Sequence, residues 1–164
     1  MTWYFDNPQR QAALLAELES WRGTRFWEQT SGRARKGVCA DCVSFCERVY
    51  VALGAMEPIR WPRYVTHHGG AAMLTLVLES VAKIPRLAVI WTPETGIELA
   101  NVLMPGDLVV ASSGRALHHM AIYSGGNTLW HCVAGEGVCQ GNIHDPIIRK
   151  HTRAVYRFQG LEEP

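Results

Sequence analysis

The chain has 164 residues, 48% of them hydrophobic and 19% charged, a balance that excludes an intrinsically disordered chain. Its formal net charge of +1 excludes a global electrostatic drive toward nucleic acid or an acidic membrane. The length suffices for a real hydrophobic core, and residues 1–164 read as one domain.

Met1 to Asp6 lacks the basic start and apolar centre of a secretory signal. The longest apolar stretch, Ala71 to Val81, is broken by Thr75, Glu79 and Ser80, so no transmembrane segment is expected. The expectation is a chain not exported by the general route, either cytoplasmic or delivered to its target by dedicated machinery. Five cysteines is an odd count, so at least one thiol stays outside any intramolecular disulfide, and a reduced setting is expected.

Pro8 to Trp21 is predicted as a helix: Asn7 caps it, Pro8 suits its first turn, and Ala12, Leu14, Leu15, Leu18 and Trp21 form an apolar face. Residues 23–39 read as a loop, whose basic run Arg33, Arg35, Lys36 is expected to be solvated. Asp41 then reads as the cap of a second helix, with an apolar stripe at Cys42, Cys46, Val49, Tyr50 and Leu53 and a stop at Gly54. Pro58 to Gly70 is expected to be irregular, and Ala71 to Lys83 helical. Leu87 to Trp91 is a short apolar run of open type, and Glu98 to Met104 is expected to hold a turn of helix.

After Asp107 the pattern turns β. Strands are expected at Leu108–Ala111, His119–Ser124, Thr128–Val133, Gly137–Ile143 and Ala154–Phe158, with turns at Ser112–Gly114 and Gly125–Asn127. Helices first and an antiparallel sheet later predict an α+β fold.

Two groups of residues carry chemistry. Cys42 falls in the first turn of a helix, where free N–H groups and the helix dipole favour a thiolate, and a lowered thiol pKa is expected. His119 and His131 lie twelve positions apart on adjacent predicted strands joined by a tight turn, on faces that bring them side by side. A nucleophile needs a base, and the base needs a third group to fix its tautomer. Cys42, His119 and His131 supply those three parts. His118 is the less suitable base, since it faces the other way with Met120 and Ile122. His67 and His68 read as loop residues, and His144 and His151 as surface ones. Trp27, Trp61, Trp91 and Trp130 read as core or cleft wall.

A zinc site is the rival reading: Cys39-x-x-Cys42 has metal-ligand spacing, and Cys132 with Cys139 would complete four sulfurs. The wide second spacing and the claim of the helix stripe on Cys42 weigh against it, and no metal or other cofactor is expected.

Four motifs in order resemble the NlpC-type cysteine peptidases. Asp41-Cys42-Val43-Ser44-Phe45 resembles their Asp-Cys-Ser-Gly-Phe, Pro105-Gly106-Asp107-Leu108-Val109 their Pro-Gly-Asp-Leu-Val, His119-Met120-Ala121-Ile122-Tyr123 their His-Val-Gly-Ile-Tyr, and Trp130-His131-Cys132 their Ile-His-Ala. Gly23-Thr24-Arg25-Phe26 resembles the Gly-Thr-Pro-Tyr upstream, and the Gly-rich approach from Gly32 to Val38 is similar to that of phage-tail members. The resemblance implies a papain-like fold, with Cys42 as nucleophile, His119 as base and His131 as the orienting residue. It places Asp41, Phe26 and Ser44 around the oxyanion and substrate cleft. It also implies hydrolysis of peptidoglycan stem peptides, commonly between D-glutamate and diaminopimelate, and phage-tail or secretion-apparatus proteins as candidate partners. Phe26 lacks the hydroxyl of the family's Tyr, and Ser44 replaces its Gly. Alternatives are a thiol amidase or acyltransferase on another substrate, and a binding module without catalysis.

Overall fold

The computed structural model describes residues 2–28, 30, 32–62, 70–113 and 116–161, the side chains at 70–73, 113 and 116–118 excepted. Helix α1 (Pro8–Ser20) starts as expected: the Asn7 side chain accepts from the N–H groups of Gln9 and Arg10 at 2.8 and 3.2 Å. Its buried stripe is narrower than the sequence pattern, because Leu14 and Leu18 are buried while Leu15 stays 46% exposed.

The segment read as a loop carries two short strands, β1 (Arg25–Phe26) and β2 (Cys39–Ala40), paired in parallel. Helix α2 (Cys42–Ala52) follows at once, with Asp41 as its cap. The single-stripe expectation fails here. Cys42 through Glu47, Val49 and Tyr50 are all buried, because α2 lies in the interior between α1 and the main sheet. Even Glu47 is buried, its carboxylate accepting from the Ile59 N–H at 2.9 Å.

Helix α3 spans Gly70–Val81. His67 and His68 lie outside the described residues. The run of open type is strand β3 (Leu87–Trp91), and 3-10 turns follow at Pro93–Thr95 and Leu99–Asn101. Then come β4 (Leu108–Ser113), β5 (Ala116–Gly125), β6 (Thr128–Val133), β7 (Gly137–Asn142), a helix α4 (Pro146–His151) that the pattern had not suggested, and β8 (Thr152–Phe158). The six-stranded sheet is antiparallel with order β3-β8-β4-β5-β6-β7. The fold is α+β.

Strand alternation gives the sheet two faces. Leu108, Val110, Met120, Ile122, Trp130 and Cys132 join α1, α2 and α3 in the larger core. Val109, Ala121, Tyr123, Leu129 and Val155 form a smaller cluster on the other face, with Trp91, Leu99 and Ile148 of α4 against it. Asp107 anchors the entry to β4. It is fully buried, paired with Arg157 at 2.7 and 2.8 Å, and accepts from the Met104 N–H. A Cβ at Gly106 would fall 2.2 Å from the Phe5 ring, so the turn before β4 requires glycine.

Candidate active site

The cap of α2 is closed by side chains on both sides. Asp41 Oδ1 accepts from the Ser44 N–H at 2.8 Å, and Ser44 Oγ accepts from the Asp41 N–H at 3.0 Å, a reciprocal capping box. Asp41 Oδ2 accepts from the Thr30 N–H at 2.9 Å, and the Thr30 and Ser44 hydroxyls lie 2.7 Å apart. Asp41 and Ser44 are fully buried. Their side chains hold the helix start together and do not line an open cleft, which corrects the placement drawn from the resemblance. Phe26 is half-buried and packs against the larger core.

Cys42, the first residue of α2, is 4% exposed. Burial pushes its thiol up to about 12 and the Asp41 carboxylate adds to this, while backbone N–H groups of Met120, Val43 and Cys42 pull the other way. The expectation of a lowered thiol pKa is therefore overturned. The helix N-terminus acts in the expected direction, but desolvation and the capping carboxylate outweigh it.

The imidazoles come from the sheet. His131 pairs with Ala121 across the β5–β6 ladder, which sets His119 diagonally beside it on the same face. His119 Nε2 and His131 Nδ1 are 2.8 Å apart, with ring centroids 5.0 Å apart. Burial lowers His131 below its ordinary value, against the opposing influence of Glu136 and Asp145. Behind it, a Cβ at Gly141 of β7 would lie 3.2 Å from its Cε1 and Nε2. On the other side His119 lines a small cavity with Ala121, Leu129, Ile148 and His151. His151 is therefore half-buried rather than a free surface residue. The side chain of His118 lies outside the described residues.

The two halves lie on either side of a fork in the sheet. The β5–β6 pairing ends at Ala121↔His131, after which β6 continues with β7 to Val133↔Gly137 and β5 continues with β4 to Ser113↔Ala116. The start of α2 enters at this fork. The Cys42 sulfur meets the N–H of Met120, the residue after His119, and the Cys132 thiol donates to the Ala40 carbonyl at 3.3 Å. Thus the head of α2 reaches the fork from the larger core, and the His119–His131 pair sits on the opposite face of the sheet. Neither Gly141 nor the Met120 N–H stands out in the sequence pattern. A glycine on a strand signals a close approach in general, but only the register says to what.

Trp61, Trp91 and Trp130 are buried, as expected of core residues, whereas Trp27 is 69% exposed. All five cysteines are free. Among the described residues no three His, Cys, Asp or Glu side chains are grouped to hold a metal, so the four-sulfur reading finds no support in the geometry. No helix among the described residues is long and apolar enough to cross a membrane.

A structure of an NLP/P60-family protein similar to lipoprotein from Staphylococcus aureus superposes with a TM-score of 0.60 at 17% identity, covering 94% of this chain and 43% of that one. The NlpC/p60 domain of the peptidoglycan hydrolase SagA superposes with a TM-score of 0.51 at 20% identity, covering 91% of this chain and 97% of the domain. RipD of Mycobacterium tuberculosis, described as a non-catalytic NlpC/p60 protein adapted to peptidoglycan binding, gives a TM-score of 0.51 at 17% identity over 92% of this chain and 98% of RipD. These identities speak to the fold. The chain spans less than half the length of the S. aureus protein. No curated protein matches the sequence significantly. The sequence profile of the NlpC/P60 family, however, matches residues 21–157, a span that holds the capped cysteine, the fork and both histidines, and the chain belongs to that family.

Proposed function

We propose that the chain is a cysteine peptidase or amidase acting on peptidoglycan stem peptides, with the bond between D-glutamate and diaminopimelate as the first candidate. The observation that carries this reading is the 2.8 Å contact between His119 Nε2 and His131 Nδ1 at the fork that also receives Cys42. Membership of the NlpC/P60 family supports the substrate class.

In this mechanism His119 uses its remaining nitrogen, Nδ1, to take the Cys42 proton. The imidazolium then donates from Nε2 to His131 Nδ1. That role requires His131 to stay neutral with its proton on Nε2, which its lowered pKa favours. The thiolate attacks the amide carbonyl, the Cys42 N–H holds the oxyanion, His119 protonates the leaving amine, and water releases the acyl group. Because the resting thiol is pushed up, it keeps its proton at neutral pH until the base removes it during attack.

Mass spectrometry of defined muropeptides tests the reading. Cleavage products are expected with the intact chain and none with Cys42→Ala or His119→Ala; turnover by either variant would refute the assignment. The deep burial of Cys42 favours a second reading, a wall-peptide binder that does not cut. It predicts muropeptide binding by the intact chain with no products at any pH.

A further inference from the structure

A groove of about 550 Å³ opens beside the segment that delivers Cys42, lined by Arg25, Trp27, Glu28, Thr30, Arg33, Val38 and Cys39. Its floor is fixed to the cap of α2. Thr30 donates its N–H to Asp41, and Cys39 lies in β2, which runs directly into Asp41. Cys39 and Cys42 are three residues apart, at most about 10 Å of chain. One residue of its lining, Cys39, is therefore tied by a short stretch of chain to the residue that carries the sulfur.

Its wall combines exposed apolar and cationic side chains. Trp27 is 69% exposed and Val38 is 55% exposed, an indole and a branched aliphatic side chain left in water at one place. Arg25 and Arg33 are exposed and have no carboxylate partner among the described residues. Of the rest of the basic run, Lys36 pairs with Glu17, and the exposed Arg35 does not line the groove. Among the described residues of the lining the one acid, Glu28, already holds an interaction of its own. Two planar guanidinium forks beside an aromatic face suit a carboxylate on a residue that also has an apolar or extended body.

We propose that this groove is a subsite for a carboxylate-bearing residue of the bound peptide, with Arg25 and Arg33 holding the carboxylate and Trp27 and Val38 covering the adjoining chain. The proposal rests on the stem-peptide reading for its ligand, but it concerns binding and not bond cleavage.

The test is calorimetric titration of the Cys42→Ala chain with an alanyl-γ-D-glutamyl-diaminopimelyl peptide, in its free-acid form and with its carboxylates converted to amides. The acid form is expected to bind about tenfold more tightly, and the Arg25→Gln/Arg33→Gln pair to erase the difference. Trp27 emission should shift on binding of the acid form. Both arginines are exposed, so the double variant should keep the melting temperature of its parent. Equal binding of the two peptides, unchanged binding by the double variant, or no binding to the chain would each overturn the proposal. Arginine-dependent binding without cleavage by the intact chain would remove the hydrolase reading and leave the subsite. Cleavage indifferent to the carboxylates would do the reverse.

Discussion

On one side of the fork, Cys42 stands at the head of a helix whose cap is closed by residues within fourteen positions of one another, every one of them buried. On the other side, His119 and His131 are half-exposed and owe their contact to strand register and to the missing side chain of Gly141. The thiol is held by local hydrogen bonds in a rigid interior, and the imidazoles by long-range pairing at the edge of a parting sheet. In the proposed mechanism the sulfur is held in place with its thiol pushed up, and the histidines assigned to deprotonate it stand where small shifts of backbone change their geometry. Reactivity, on this view, is set on the histidine side and stability on the cysteine side.

The sharpest break in that division is Cys42→Ala. It should abolish muropeptide cleavage, while truncating one small buried side chain costs stability by only about 1 kcal/mol. His119→Ala should remove turnover as completely. A large fall in melting temperature in either variant would mean that the site and the core are not separable as described.

Asp41 comes next, with an effect on stability. Asp41→Ala removes the cap and leaves the Thr30 and Ser44 N–H groups buried without acceptors, a loss of about 2–4 kcal/mol measurable by denaturant unfolding. Asp41→Asn is the informative partner. Its amide oxygen preserves one of the two bonds while the charge disappears, so the thiol should titrate lower than in the parent chain. Alkylation rate against pH reads this directly, and an unchanged profile would show that the carboxylate does not act on the sulfur.

These two sides also differ in how far they can be read from the sequence. The cap could be read because its parts are local: an acid before an apolar run, followed three residues later by a hydroxyl, specifies a helix start with little help from elsewhere. The histidine pair could be read because a Gly-Gly-Asn turn fixes the register of a hairpin, and the register fixes the faces. What the pattern hides is depth. Nothing in the run from Cys42 to Leu53 says that the helix will be enclosed on nearly all sides, so the thiol looked acidified when burial in fact raises it. Helix α4 leaves little trace in the pattern although Asp145-Pro146 carries a cap and a first-turn proline, because six residues give too little periodicity to stand out. Strands β1 and β2, two residues each, exist only through pairing across twelve residues of intervening chain.

Gly141 sharpens the comparison from the histidine side. Its backbone does not require glycine, so Gly141→Ala should fold normally, yet the added methyl would press on the His131 ring by a few tenths of an ångström. The expected result is a drop in kcat of about tenfold with KM unchanged and unfolding free energy altered by under about 1 kcal/mol. An equal loss in both kinetic parameters would place Gly141 in peptide binding instead.

The smallest expected effect is in pH. His131 is held below its ordinary value of 6.5 chiefly by burial, so as pH falls through 6.5 the unfolded chain takes up a proton at this residue before the folded chain does. The contribution of His131 to stability is therefore intact above that value and is lost progressively as pH drops from 6.5 toward the folded pKa. His131→Gln removes the titration, and its melting temperature should fall less steeply than that of the parent between pH 7 and pH 5. Identical slopes would mean that the ring takes its proton equally in both states, and the neutral acceptor needed beside a protonated His119 would then be absent.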